Sequence, residues 1–199
     1  MKILIIGGSG TIGQKVFTEL DKKHEVLIAG RNSGDFRVDL TKEDSTNQLF
    51  EKTGELDACI CTAGDAAWGD LQELKEEDFY VGIQSKMMGQ INLVRIGQHH
   101  LNNYGSFTLT TGILSEDPVK GSIVPATVNN AIHGFVLGAS RELKKGMRIN
   151  AVSAGLVEDS VEHYSEYFPG HIPVTMDRVA AAYQKSVEGN MTGEIIRVY

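Results

Sequence analysis

No apolar run in this chain is long enough to cross a bilayer, so a membrane-spanning protein is not expected. Basic charge is scarce: 19 Lys and Arg face 26 Asp and Glu, for a formal net charge of -7. That balance argues against a nucleic-acid surface. Cysteine is nearly missing. Cys59 and Cys61 sit two apart in an apolar run, with no His or Cys partner at ligand spacing. They read as small core residues, not as a disulfide or a metal site, and imply a reducing, cytoplasmic setting. The N-terminus lacks a signal-peptide pattern, since Met1-Lys2 leads straight into an apolar run. Repeats, linkers and low-complexity segments are absent, so one domain over residues 1–199 is expected.

What the chain does have is concentrated in residues 3–13. Ile3, Leu4, Ile5 and Ile6 form the short apolar run of a strand buried on both faces. Glycines follow at Gly7, Gly10 and Gly13. From Thr11 the spacing turns helical, with Ile12, Val16, Phe17 and Leu20 on one side. Strand, glycine turn and helix N-terminus together suit a pyrophosphate, because the backbone can approach closely and the helix offers free N–H groups. A second strand over 24–29 ends at Gly30-Arg31-Asn32-Ser33. A dinucleotide fold chooses its cofactor there. An acid would bind the ribose hydroxyls of NAD; this chain has none and carries Arg31, whose planar cation suits the 2′-phosphate of NADP. NADP is therefore the expected cofactor, with NAD as the other possibility.

Further strands are predicted over 35–40, 56–61, 106–110, 147–152 and 194–198. Helices are predicted over 44–52, 76–99 with breaks at Gly82 and Gly89, 127–144 and 177–187. Residues 111–126, with Pro118 and Pro125, read as a loop. Residues 153–173 read as a substrate-side lid loop rich in Tyr, His and acids. This alternation is an α/β pattern: a Rossmann-type doubly wound parallel sheet of about seven strands with helices on both faces. Ligands bind such sheets beyond the C-terminal strand ends.

Over essentially its whole length the chain resembles the short-chain dehydrogenase/reductase family. The glycine turn matches that family's glycine motif in a spacing near its atypical branches. Asp39-Leu40 resembles the adenine-contacting acid and its neighbour. Cys61-Thr62-Ala63-Gly64 stands where the family has Asn-Asn-Ala-Gly. Residues 148–155 resemble its late Asn-containing segment, and Thr192-Gly193-Glu194 its closing Thr-Gly. The resemblance implies a cofactor site of Gly7, Ser9, Gly10, Thr11, Ile12, Gly13, Arg31, Asn32, Ser33, Asp39, Leu40, Thr62, Ala63, Gly64, Gly155 and Val157. It also implies a small-molecule carbonyl or alcohol substrate. The chain is expected to form a homodimer or homotetramer through the helices over 86–99 and 129–144.

The family's chemistry rests on Asn, Ser, Tyr and Lys. Aligned position by position, the asparagine becomes Lys86 and the serine Thr111. Counting back from Ala131-Ile132-His133-Gly134 puts Asn129 at the lysine and Pro125 at the tyrosine, so the usual Tyr-x-x-x-Lys pair is missing. Thr111, Lys86 and Asn129 are the candidate catalytic residues. Tyr164, Tyr167, His163 and His171 in the lid are other sources of a proton. His99, His100 and His133 read as surface or interface positions, and Trp68 as a lid or interface anchor. Two functions follow: an oxidoreductase with a rearranged proton relay, or a cofactor-binding sensor or assembly protein that has lost catalysis.

Overall fold

The computed structural model describes residues 1–199. Strand β1 (Lys2–Ile6) lies near the middle of a seven-stranded sheet of order β3-β2-β1-β4-β5-β6-β7. Its neighbours are β2 (Glu25–Gly30) and β4 (Leu56–Cys61), both parallel to it. Outward from β2 runs β3 (Phe36–Arg37), and beyond β4 run β5 (Leu101–Gly112), β6 (Arg148–Ala154) and β7 (Ile195–Val198). Every pairing is parallel, as expected where each strand returns through a crossover. The Rossmann-type doubly wound fold read from the sequence is the fold observed.

The period of two along each strand divides the core. Leu4, Ile6, Cys59, Cys61, Ile149 and Ala151 point to one face. There they meet α2 (Glu43–Thr53), α4 (Gly89–Gly97) and α5 (Ile123–Glu142) through Leu49, Phe50, Leu93, Ile132 and Val136. Ile3, Ile5, Ala58, Ile60 and Val152 point to the other face, against α1 (Thr11–Leu20) and α7 (Met176–Glu188). Phe50 and Tyr183 are fully buried anchors of these two layers; each such side chain contributes about 1.5–3 kcal/mol on burial. The helix termini carry fitting charges. Glu43 and Asp44 open α2 and Lys52 closes it; Asp177 opens α7 and Lys185 closes it. No helix is long and apolar enough to cross a membrane.

Several boundaries differ from the sequence reading. Strand β3 has two residues instead of six, because this edge strand has no outer partner and turns so that Val38 and Leu40 bury. Strand β5 begins at Leu101, which pairs with Leu56 across a bulge next to Asp57, while Tyr104 takes a left-handed φ of 64°. The interruption expected at Gly82 and Gly89 is a change of helical pitch and not a gap. The helix after β4 runs from α3 (Glu76–Gly82) through a π-helical turn (Ile83–Met88) into α4. Helix α5 starts at Ile123, so Pro125 lies in its first turn and not in a loop. Proline is tolerated there because first-turn N–H groups have no intrahelical partner. The segment predicted as loop over 153–173 begins within β6 and holds short helical turns, among them α6 (Val161–Tyr164).

Candidate functional site

All the candidate residues collect at the C-terminal edge of the sheet, where β1 gives way to the glycine turn. Gly7 takes φ +83°, and its N–H donates to the Ala29 carbonyl at 2.8 Å. A side chain on Gly13 would be driven into the Gly7 carbonyl, so glycine lets α1 pack against the turn. Gly10 caps α1 with no side-chain bond, and the first turn holds no acid. No side chain of the cap competes for the first-turn N–H groups or the positive dipole end, as an anion site requires. Ser9 Oγ and Ser33 Oγ lie 2.6 Å apart and tie the turn to the end of β2.

One cavity of about 400 Å³ lies over this turn. Gly7, Ser9, Gly10, Arg31, Asn32, Ser33, Leu40, Thr62, Ala63 and Gly64 border it, with Val38 beside Leu40. A second, of about 440 Å³, shares Thr62, Gly64 and Asp65 with the first and continues it along the sheet edge. Ile12, Gly155 and Val157 border the second, together with Thr111, Lys86, Asn129 and Pro125. Thr11, Gly13 and Asp39 line neither cavity. Asp39 is committed elsewhere: its carboxylate accepts from the Thr41 hydroxyl at 2.7 Å and the Thr41 N–H at 3.1 Å. Those bonds, the hydroxyl's first, hold it below the usual carboxylate range.

Arg31 is not solitary. Its Nη2 lies 3.5 Å from Asp65 Oδ2 across the mouth of the first cavity. Asp65, which no sequence motif marks, is fixed by its N–H, which donates to Ser85 Oγ at 3.0 Å. Ser85 belongs to the π-helical turn, so one irregular turn anchors the β4 loop and presents the adjacent Lys86 to the second cavity. Burial pushes the Lys86 ammonium below its ordinary pKa, with nearby Cys61 and Asp65 pulling the other way. Gly64, at φ +138°, leaves no room for a Cβ against the Lys86 backbone.

The end of β5 splits its two threonines by strand alternation. Thr110 Oγ1 turns to the Cys61 carbonyl and the Tyr183 hydroxyl. Thr111 Oγ1 turns to α5 and lies 2.8 Å from Nε2 of His133. His133 therefore reaches inward and is not a plain surface residue; burial lowers its pKa, with Glu116 and Arg197 acting in opposite senses. Gln90 is fully buried and serves as a clamp: its amide donates to the Thr110 carbonyl at 3.0 Å and accepts the Thr110 N–H at 2.8 Å. No spacing pattern marks Gln90, because its role depends on where β4 stops pairing with β5.

Asn129 is 2% exposed. Its Nδ2 donates weakly to the Gly112 carbonyl at 3.4 Å, and its buried Oδ1 has no partner. A buried acceptor left open on a cavity wall suits a ligand hydroxyl. Of the lid candidates, Tyr164 borders the second cavity, whereas Tyr167 and His171 border a neighbouring one and His163 is exposed. The hydroxyl partner of Thr111 is His133, not a lid tyrosine. Cys59 and Cys61 are buried and unpaired, and burial pushes the Cys61 thiol up to about 12.

Residues 13–182 match a family model described as enoyl-(acyl carrier protein) reductase. The protein lin1944 of Listeria innocua has a solved structure that superposes with TM-score 0.99 at 46% identity over the whole of both chains. A small-chain dehydrogenase solved in complex with NADPH superposes with TM-score 0.88 at 27% identity, covering 100% of this chain and 96% of that one. A short-chain dehydrogenase/reductase, GME11373 of Pestalotiopsis microspora, is 26% identical over 85% of this chain and 74% of its own.

Proposed function

The chain belongs to the short-chain dehydrogenase/reductase family, and from that premise we propose that it is an NADP(H)-dependent oxidoreductase acting on a small carbonyl or alcohol. The observation that carries this reading is the joined pair of cavities, with an open helix N-terminus at one end and the unpartnered Asn129 Oδ1 in the other. The residues present fit a dinucleotide. The α1 N-terminus and Ser9 would hold the pyrophosphate, and Val38 and Leu40 the adenine. Arg31 would hold the 2′-phosphate, and Asn129 Oδ1 would accept a bond from a ribose hydroxyl. Bound there, the cofactor would supply or take a hydride at a substrate carbon.

The chain's own groups would manage the oxygen and its proton. Thr111, or the backbone beside it, would hydrogen-bond the substrate oxygen. Lys86 would donate the proton as the oxyanion develops, its ammonium made a readier acid by burial. His133 would orient the Thr111 hydroxyl. Pro125 has no proton to give and Asn129 no charge, so the relay would not run through the family's Tyr-Lys pair. The proline and asparagine also support a second reading, a sensor that binds NADP(H) without turnover. Residues 153–173 would act as the lid. The small, exposed positions Gly134 and Gly138 beside Leu137 on α5, with Met88 next to α4, favour a homodimer or homotetramer.

The test combines calorimetric titration of NADPH with NADPH oxidation across aldehydes, ketones and quinones. Binding with turnover supports the enzyme, binding without turnover the sensor, and no binding refutes both.

A further inference from the structure

The second cavity has two chemically different ends. Toward β5 and the π-helical turn it presents Thr111, Asn129 and Lys86. The rest of its wall combines the aliphatic Ile113, Leu114, Leu156 and Val157 with three rings from two separate segments, Phe168 packing on Leu114 and Leu156. Trp68 comes from the loop after β4; Tyr164 and Phe168 come from the segment after β6. The Trp68 ring lies 6.4 Å from Tyr164, tilted by 34°, and 6.4 Å from Phe168, tilted by 60°. Tyr167 adds a fourth ring 5.8 Å from Trp68 on the outer side. Phe168 is buried, held edge-on by His171 at 5.2 Å, whereas Trp68 and Tyr164 are 39% and 44% exposed. No guanidinium borders the cavity, and its one carboxylate, Asp65, is paired with Arg31 at 3.5 Å.

Exposed aromatic faces that converge on a cavity cost free energy unless a ligand covers them. The aliphatic part of the wall would take an alkyl or an aryl group equally; the exposed rings of Trp68 and Tyr164 separate the two. Rings set at a tilt to one another instead offer faces and edges suited to a flat π system. The polar end asks for the opposite: a single oxygen acceptor reached by Lys86 and Thr111.

We propose that, resting on the reductase reading above, the substrate is an uncharged aryl ketone or aldehyde. Its planar ring lies among Trp68, Tyr164 and Phe168, and its carbonyl oxygen faces Lys86 and Thr111. Reduction converts the carbonyl to a benzylic-type alcohol: a bound NADPH would supply the hydride to the carbonyl carbon and be left as NADP+, and Lys86 would give its proton to the oxygen and be left as the neutral amine, to be reprotonated from solvent. A saturated ketone of the same size fills the volume but loses the ring contacts.

The experiment measures binding apart from turnover. Acetophenone and cyclohexyl methyl ketone are compared by equilibrium dialysis against the full chain, with and without NADP+. The same pair is compared on Trp68→Leu and Tyr164→Leu. These residues are partly exposed and lie on different segments, so neither change empties the core. Acetophenone is expected to bind about tenfold more tightly to the native chain, and the preference to collapse in at least one variant. That result upholds the aryl site even when no ketone is reduced, in which case only the reductase reading falls. Binding of neither ketone, a preference below about fivefold, or one that survives both substitutions overturns the aryl site, even where turnover upholds the reductase.

Discussion

Thr111 Oγ1 and His133 Nε2 lie 2.8 Å apart, joining the end of β5 to the third turn of α5. Burial holds His133 below its ordinary value of 6.5. The native state therefore binds fewer protons than the unfolded chain just below that pH, and stability falls as the pH drops through it. His133→Gln keeps a hydrogen-bonding group but does not titrate. Chemical denaturation is expected to show the native chain losing stability from pH 7 to 5, and the variant losing less. Equal pH slopes refute the assignment. Thr111→Val removes the bond and is expected to cost about 1 kcal/mol.

Lys86 gives a prediction on rate. Its ammonium must be charged to donate, and burial has moved its titration down from 10.5. Carbonyl reduction is expected to fall on the alkaline side with a midpoint below that value. Lys86→Met should lower kcat/KM by about 10²-fold and remove the alkaline limb. A variant with native rate and native pH profile removes Lys86 from the proton path.

Arg31 should decide between the two dinucleotides. Arg31→Ala is expected to weaken NADP(H) by about 1.5 kcal/mol, the low end for a charged hydrogen bond at an exposed site, and to leave NAD(H) nearly unchanged. Asp65→Asn releases Arg31 from its 3.5 Å pair and should tighten NADP(H). Equal affinities of the native chain for NAD and NADP would sink the cofactor assignment.

Assembly is read from exposed positions that the fold itself does not cover. Leu137 is 55% exposed, and a Cβ on Gly134 or Gly138 would meet nothing within 4 Å. Light scattering at micromolar concentration is expected to give the mass of a dimer or tetramer. Leu137→Glu should shift it toward monomer by burying charge at the contact. A native monomer refutes the interface.

The strand at residues 2–6, the glycine turn and the start of α1 were fixed by the sequence alone, because their signals are local. An apolar run needs burial, and a glycine placed under a carbonyl needs no distant partner to be legible. The same holds for the α/β alternation and for Thr111 at the end of β5, whereas Lys86, Asn129 and Pro125 lie on helices and were grouped with it through the family resemblance, not through a local pattern. What tertiary structure alone decided depends on meetings between distant segments. The Asp39 carboxylate was spent on Thr41, and Val38 was turned into the cavity in its place. His133 was brought under Thr111 by packing α5 on the sheet, 22 residues along the chain. Gln90 filled both backbone bonds of Thr110 only because β4 had stopped pairing there. Trp68 met Tyr164 and Phe168 nearly 100 residues away, a contact that no periodicity encodes because it is a property of two loops closing on one edge.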